Sequence, residues 1–187
     1  MGNGKTEDCW FSALLFPIAY CPLPIAFLPS PMIHPAPTTK IDPTLARGTV
    51  VEVHDANDAH PAQVVLSFPN TSYQTTLEIE PDLVSKLRSS VGELVTGRII
   101  AQARRVDQPQ AGGRKIDPCY GTPTRVMGTV VGIDPIANVL VVDAGAPILL
   151  TLTAPGQSAK QFADAAFVAS DILPGARFTL VSFLCPE

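Results

Sequence analysis

Histidine is scarce in this 187-residue sequence, and spaced metal-ligand motifs are missing. The histidines are His34, His54 and His60, and no spacing of histidine or cysteine matches a zinc site. His54 and His60 flank one polar turn that also contains Asp55 and Asp58, which are residue types that bind metals. Real metal sites are strict about ligand number and geometry. We therefore interpret this turn as a solvated loop and expect no metal.

The motifs of common catalytic classes are missing as well. The sequence has no Walker phosphate loop and no Gly-x-Gly-x-x-Gly, and residues 112–115 lack the strand-loop-helix context of a phosphate loop. Three histidines in loops or tails do not make a Ser-His-Asp set. We therefore predict a protein that is not an enzyme and that holds no cofactor.

Cysteine is limited to four residues, and none of them forms a Cys-x-x-Cys pair. Four cysteines allow three pairings, and the spacing of Cys9, Cys21, Cys119 and Cys185 selects none of them. A bond between Cys119 and Cys185 would require an oxidising compartment. Free thiols are the preferred interpretation, and no neighbouring base marks any of them as a nucleophile.

Charge and aromatic content are also low, at 16% and 6% of residues. The net charge is −4 and the isoelectric point is near 5.3. Proteins whose main activity is to hold a phosphate backbone carry a basic stripe. The composition therefore disfavours that class, although it leaves a local basic patch open.

Proline, by contrast, is abundant, and many of the 19 prolines lie in the first forty residues. Residues 10–29 are uncharged and long enough to span a membrane. Pro17, Pro22, Pro24 and Pro29 interrupt that stretch, and each removes a backbone donor and disfavours a helix. A straight transmembrane helix is therefore not the preferred interpretation of this leader, defined as residues 1–40.

Three other interpretations of the leader stay open. A secretory signal needs a basic start and a small-residue cleavage site, and the sequence offers neither clearly. Translation could instead begin at Met32. Alternatively, the leader is an apolar arm that packs against a partner or a larger assembly, through the aromatic residues Trp10, Phe11, Phe16, Tyr20 and Phe27. We favour the last two interpretations over export.

One segment of the chain occurs twice. Gly48-Thr49-Val50-Val51 returns as Gly128-Thr129-Val130-Val131, and Ile-Asp-Pro precedes each copy. The alternation of apolar residues predicts corresponding strands in both copies, over residues 48–53, 63–68, 73–79 and 91–104 in the first and 128–133, 139–143, 147–153 and 178–184 in the second. Self-similarity of this kind predicts a duplication, with a first repeat at 41–106, a linker at 107–118 and a second repeat at 119–187.

Helical segments interrupt the strands at matching places. Leu83, Val84 and Leu87 share one face of a short amphipathic helix at residues 82–88, and residues 158–170 are its predicted counterpart. The order strand, strand, strand, helix, strand, strand resembles that of the OB-type barrel. The resemblance is at the level of the fold and no family motif accompanies it; small SH3-like barrels share similar signals. It predicts an all-β chain with short helices, folded as two tandem OB-like β-barrels.

The preferred function is a non-enzymatic binding or scaffolding protein that engages a protein partner or larger assembly through the barrel faces or the N-terminal arm. A first alternative is single-stranded nucleic-acid binding, because OB-type barrels bind strands on aromatic residues with basic surroundings. The residues for such a platform are Phe68, Tyr73, Arg98, Arg104 and Arg105. A second alternative is a membrane-associated or exported subunit anchored by residues 10–29. A cytoplasmic location is slightly favoured, and the sequence does not predict an oligomeric state.

Overall fold

The computed structural model describes residues 42–183. Within them the chain forms β-strands, one α-helix and a short 3-10 helix at Ala159–Phe162. The elements are β1 (Ala46–His54), β2 (Gln63–Ser67), β3 (Gln74–Glu78), α1 (Pro81–Ser89), β4 (Leu94–Asp107), β5 (Lys115–Asp117), β6 (Tyr120–Gly121), β7 (Arg125–Asp134), β8 (Val139–Asp143), β9 (Pro147–Leu152), β10 (Phe167–Ile172) and β11 (Arg177–Phe183). The strands join in one large sheet with parallel and antiparallel pairs, so the predicted mostly-β class is confirmed.

The strands form where apolar residues alternate with polar ones. Val64 and Leu66 of β2 and Leu77 of β3 are buried, while the residues between them are half-buried. Successive side chains of a strand point to opposite faces, so this pattern places one face of each strand against the core. The predicted strands in both halves are present, and most of their ends differ from the prediction by only a few residues.

Strand pairing closes a first ring. β1 pairs with β2 on one side and with the first part of β4 on the other, and β2 pairs with β3. The ring is completed by β11, which pairs along β4 and meets β3 at a single position, Arg177 opposite Glu78. We call this set ring 1. The largest fully buried side chains on its strands are Val50, Val64, Leu66, Leu77, Ile99 and Phe178.

The second part of β4 closes another ring. β7, β8 and β9 form an antiparallel series, and β10 pairs with both β7 and β4. β9 then runs parallel to β4, with Ile148–Leu152 opposite Ile99–Ala103. We call this set ring 2. Its fully buried side chains include Leu140, Ile148 and Leu150.

The two rings share β4 and exchange a strand. β4 is one strand of 14 residues. Gly97 lies within the strand, close to the ring of Phe178. β11 comes from the second half of the chain but completes ring 1, and β4 comes from the first half but completes ring 2. The ranges 41–106 and 119–187 therefore stay a prediction as domains, because strands cross between the halves.

The predicted helix in the first half is present as α1, with Pro81 in its first turn and Leu87 fully buried. The predicted helix at residues 158–170 is wrong in extent, because only Ala159–Phe162 is helical and β10 starts at Phe167. Residues 167–171 instead pair with β7. Strand pairing on both sides of β10 satisfies its backbone groups and overrides the weak helical preference of an Ala-rich stretch.

The two halves carry the same irregularity at matching residues. The register of β1 against β2 shifts between Val50 and Glu52, and that of β7 against β8 shifts between Val130 and Gly132. The extra residues are Val51 and Val131, which are 40% and 41% exposed. A β-bulge leaves one residue unpaired and bends the strand. Both copies of the repeated segment thus bend at the same place.

Candidate functional site

The two aromatic residues of the predicted nucleic-acid platform, Phe68 and Tyr73, are buried and half-buried. Phe68 is 2% exposed, and its ring packs beside Gly48, where an added Cβ would lie 3.3 Å from the ring carbons. It is therefore part of the core and is not available for base stacking, so its assignment to the platform was wrong. Tyr73 is half-buried, and its hydroxyl donates a hydrogen bond to the carbonyl oxygen of Arg114 at 3.4 Å.

The three predicted arginines are exposed, but two of them are paired with carboxylates. Arg98 lies 3.8 Å from Asp42, and Arg105 lies 2.8 Å from Asp107. Hydrogen bonds from Thr44, helped by the charge of Arg98, hold the pKa of Asp42 below its usual value. Arg104 forms no ion pair with any residue between 42 and 183.

Charges of opposite sign alternate across neighbouring strands of ring 2 and the adjoining β5. Arg105 is opposite Asp171, which is opposite Arg125, which in turn is opposite Asp117. Lys115 lies 2.8 Å from Asp117, and this hydrogen bond raises the pKa of Lys115. Opposite charges on adjacent strands favour one register. The row therefore stabilises strand pairing and is not a basic stripe.

The polar turn between β1 and β2 has structural contacts. Asp55 pairs with Arg88 of α1 at 2.7 Å, and His54 lies 3.7 Å from Glu52. Asn57 accepts hydrogen bonds from the backbone of the same turn. Between residues 42 and 183, no group of three or more His, Cys, Asp or Glu side chains is arranged to hold a metal ion.

Cys119 is a free, half-buried thiol, and its carbonyl oxygen accepts a hydrogen bond from the Gln74 N–H at 2.8 Å. The other cysteines lie outside the described residues, so a bond between Cys119 and Cys185 stays untested. The arm residues Trp10, Phe11, Phe16, Tyr20 and Phe27 also lie outside them. No helix in the described part of the chain combines the length and the apolar character that a membrane span requires.

The two rings differ in how one strand is paired on its outer side. In ring 2 this strand is β4, and in ring 1 it is β11. In ring 2, β9 pairs with β4 at five positions, from Ile99 to Ala103. Beyond the end of β9, the side chain of Gln157 bonds to the next part of β4. Its Oε1 accepts from the Val106 N–H at 2.9 Å, and its Nε2 donates to the Val106 carbonyl at 2.7 Å. One side-chain amide thus satisfies both backbone groups of Val106, as a neighbouring strand would.

The counterpart of Val106 in ring 1 is Leu180. Thr49 and Thr129 occupy matching places in the repeat. Thr49 is opposite Leu94 of β4, and Thr129 is opposite Phe167 of β10. Three residues after Phe167 on β10, Ser170 is opposite Val106 of β4. Three residues after Leu94 on β4, Gly97 is opposite Leu180 of β11. Within residues 42–183, no strand or side chain bonds to the β3-facing side of Leu180.

The reason for this difference is the length of one connection. Gln157 belongs to the segment between β9 and the 3-10 helix, whereas Ile79 and Glu80 alone separate β3 from α1. The first half therefore has no residue in the place of Gln157. We define the β11 edge as the side of Thr179–Phe183 that faces away from β4. The described chain leaves this edge unpaired.

Apolar side chains are exposed along the β11 edge and near it. Val181 is 52% exposed and Phe183 is 40% exposed, and no residue from Phe178 to Phe183 is charged. Phe183 is opposite Val95 near the start of β4. At the same end of β4, Gly92 donates to the carbonyl of Val50, which places the exposed Val91 and Val51 close together. The sequence analysis predicted this strand but missed its exposed edge, although its uncharged apolar run is the signal that marks it.

Removal of the Gln157 side chain tests the closure of ring 2. We expect Gln157→Ala to lower the free energy of unfolding by about 1–3 kcal/mol, because the backbone N–H and C=O of the buried Val106 lose their partners. Urea denaturation of Gln157→Ala against Gln108→Ala measures the difference, since the side chain of Gln108 is exposed and forms no hydrogen bond with residues 42–183. Equal stability of the two variants would contradict the assigned closure.

Comparisons with known proteins identify no family. No family model matches the chain, and no curated protein matches it. Among solved structures, the chain is similar to the cytoplasmic molybdate-binding protein ModG, solved with molybdate bound, over 73% of this chain and 93% of that chain. The two chains are 16% identical, with a TM-score of 0.42. A likeness of this extent does not tell what this chain binds.

Proposed function

We propose that this protein is a non-enzymatic binding protein that engages a protein partner through the β11 edge. The observation that carries the proposal is the contrast between two strand edges: Gln157 closes the edge at Val106, whereas no residue from 42 to 183 pairs with the edge at Leu180. Open strand edges present unpaired N–H and C=O groups, which another chain satisfies by adding a strand. An extended segment of a partner would supply at Leu180 what Gln157 supplies at Val106.

The side chains along the edge favour a protein partner. Strand edges that must stay free are commonly protected by charged residues or proline, and the segment from Phe178 to Phe183 has neither. Burial of Val181 and Phe183, both now substantially exposed, would add apolar contact to the backbone hydrogen bonds. Clustered exposed apolar residues are a feature of protein-interaction sites.

The residues of the predicted nucleic-acid platform do not suit single-stranded nucleic acid well. Binding of a strand needs exposed aromatic residues and unpaired cations, whereas Phe68 is buried and Arg98 and Arg105 face carboxylates. Arg104 alone of the predicted platform is both exposed and free of an ion pair among residues 42–183. A protein partner therefore remains the preferred hypothesis.

The proposal includes an architecture, in which the two rings are OB-like barrels that arose by duplication and together form a scaffold. Support comes from the repeated Gly-Thr-Val-Val segment, from the bulges at Val51 and Val131, and from the matching order of strands in the two rings. In such a scaffold ring 2 is closed by its own residues, and ring 1 carries the binding surface.

Substitution of the exposed valine on the edge tests the function. We expect full-length chain carrying Val181→Lys to lose the proteins that co-purify with the wild type, because a charge would be buried without a partner at the interface. Quantitative affinity purification from the native cells measures this loss. Val131→Lys is the matched control, since Val131 is similarly exposed at a bulge but lies on β7, which does not pair with β11.

Two results would contradict the proposal. Equal recovery of partners with wild type, Val181→Lys and Val131→Lys would show that the β11 edge is not the binding surface. Salt-dependent binding of a single-stranded oligonucleotide that is lost in Arg104→Ala and unaffected by Val181→Lys would favour the nucleic-acid alternative.

A further inference from the structure

We propose that ring 2 carries a binding site for a small phosphorylated molecule, in the cavity between β4 and the segment that follows β9. The cavity has a volume of about 430 Å³ and is lined by Arg104, Arg105, Ala154, Pro155, Gln157 and Asp171. This volume lies within the range of small-molecule sites. The cavity is separate from the β11 edge, since none of these residues lies on β11.

A β-bulge brings the two arginines of the cavity together. Asp171 of β10 is opposite Arg105 and Ile172 is opposite Ala103, so the extra residue on β4 is Arg104. Neighbouring side chains of a regular strand point to opposite faces, whereas a bulge redirects a side chain. Arg104 and Arg105 are both exposed and both line the cavity. The bulge therefore presents two consecutive guanidinium groups to one ligand.

This bulge does not follow from the duplication. At the matching place in ring 1, β11 pairs with β4 without interruption from Arg177 to Leu180. Bulges are frequent next to functional sites, where they redirect a side chain. An irregularity that ring 1 lacks at this place indicates a role specific to ring 2.

Hydrogen bonds fix the walls of the cavity before a ligand arrives. The Thr153 hydroxyl donates to the Ala103 carbonyl at 2.8 Å, and the Gln157 amide bonds to the backbone of Val106. These bonds hold both ends of residues 154–156 to β4, on either side of the two arginines. A preorganised site loses less conformational entropy when it binds a ligand.

The charges of the cavity favour an anionic ligand that also carries a hydroxyl group. Asp107 holds Arg105, whose Nε donates to the carboxylate at 2.8 Å. Arg104 forms no ion pair with residues 42–183, and a guanidinium binds phosphate through two parallel hydrogen bonds. Asp171, which lies 3.8 Å from Arg125, only accepts hydrogen bonds when it is ionised. The arginines therefore select a phosphate group, and Asp171 selects a hydroxyl group near it.

Isothermal titration calorimetry of the full-length chain tests the site with ribose 5-phosphate, inorganic phosphate and ribose. An ionic strength of about 0.15 M screens nonspecific attraction between exposed charges. Ribose 5-phosphate should bind one to one. Inorganic phosphate should bind at least about threefold more weakly, because it offers no sugar hydroxyl to Asp171. Ribose without phosphate should not bind at about 10 mM, since it has no charge for the arginines.

Substitutions in the cavity place the ligand. Arg104→Ala should weaken binding of ribose 5-phosphate at least about tenfold, because a charge-assisted hydrogen bond is lost. Arg104→Lys should lie between wild type and Arg104→Ala, since lysine keeps the charge but not the planar fork. Asp171→Asn should tighten the binding of inorganic phosphate, because a like charge is removed. Arg98→Ala is the matched control, since Arg98 is exposed on the same strand but does not line the cavity.

The thermal melt of Arg104→Ala should match that of the wild type, because the side chain is exposed. Loss of binding in Arg104→Ala with normal binding in Arg98→Ala supports the site. No binding of ribose 5-phosphate at about 10 mM overturns it, and so does equal binding by wild type and Arg104→Ala. A single-stranded oligonucleotide that binds far more tightly than ribose 5-phosphate, and that Arg104→Ala no longer binds, would overturn the small ligand in favour of nucleic acid.

Discussion

Replacement of Phe178 by alanine should lower the free energy of unfolding by about 3–5 kcal/mol, the range measured for large aromatic residues removed from a core. Phe178 is 1% exposed and lies opposite Ile99 of β4, where β11 completes ring 1. The truncation leaves a cavity between strands that come from opposite halves of the chain. Because the core is close-packed, the surrounding backbone recovers only part of the lost contact.

Urea denaturation followed by circular dichroism measures this loss, and a thermal melt should show a fall of roughly 10 °C. Phe183→Ala on the same strand is the matched control, since Phe183 is 40% exposed and should cost about 1 kcal/mol. Near-equal effects of the two truncations would mean that β11 does not close ring 1 as described. Phe178→Leu, which keeps most of the volume, should fall between wild type and Phe178→Ala.

The second large effect is expected for Gly97→Ala, a change that adds one methyl group to the middle of β4. An added Cβ would lie 2.5 Å from the carbonyl oxygen of Thr179 and closer still to the ring of Phe178. Real Cβ atoms do not approach backbone so closely, so β11 must shift away from β4. We expect a loss of about 3 kcal/mol, at the upper end of the usual cost of overpacking.

Gly113→Ala is the matched control, since nothing lies within 4 Å of the added Cβ and its effect should stay within about 0.5 kcal/mol. A double-mutant cycle sharpens the test. In Gly97→Ala/Phe178→Ala the aromatic ring no longer opposes the new methyl group. The loss of unfolding free energy in the double variant should therefore be smaller than the sum of the losses in the two single variants. Strict additivity would contradict the described contact between Gly97 and Phe178.

Much of the secondary structure could be predicted from the sequence because it depends on local patterns. The alternation of apolar residues predicted β2, β3, β8 and β9 nearly to the residue, and the spacing of Leu83, Val84 and Leu87 predicted α1. The prediction was wrong for residues 158–170, where pairing of β10 with β7 and β4 overrides a helical pattern. Pairing partners lie far away in the sequence, so local periodicity does not report them.

The candidate site was harder to predict, because exposure and ion pairing are properties of the folded chain. Phe68 and Phe183 are both aromatic residues at strand ends, yet one is buried beside Gly48 and the other is exposed. In the sequence Arg98 and Arg105 have the pattern of free cations, but in the structure they pair with Asp42 and Asp107. The nucleic-acid platform therefore stays a prediction, and the burial of Phe68 and the two ion pairs disfavour it.

By itself, the sequence of this protein determined a strand-rich chain that repeats one segment and carries few charges. Tertiary structure alone decided that β4 serves both rings, that β11 returns to complete ring 1, and that Gln157 closes the edge at Val106. The matching edge at Leu180 is left unpaired by the described residues. The physical reason is that the sequence sets which residues favour an extended backbone, whereas closure of a sheet depends on which distant strands can satisfy each other's hydrogen bonds.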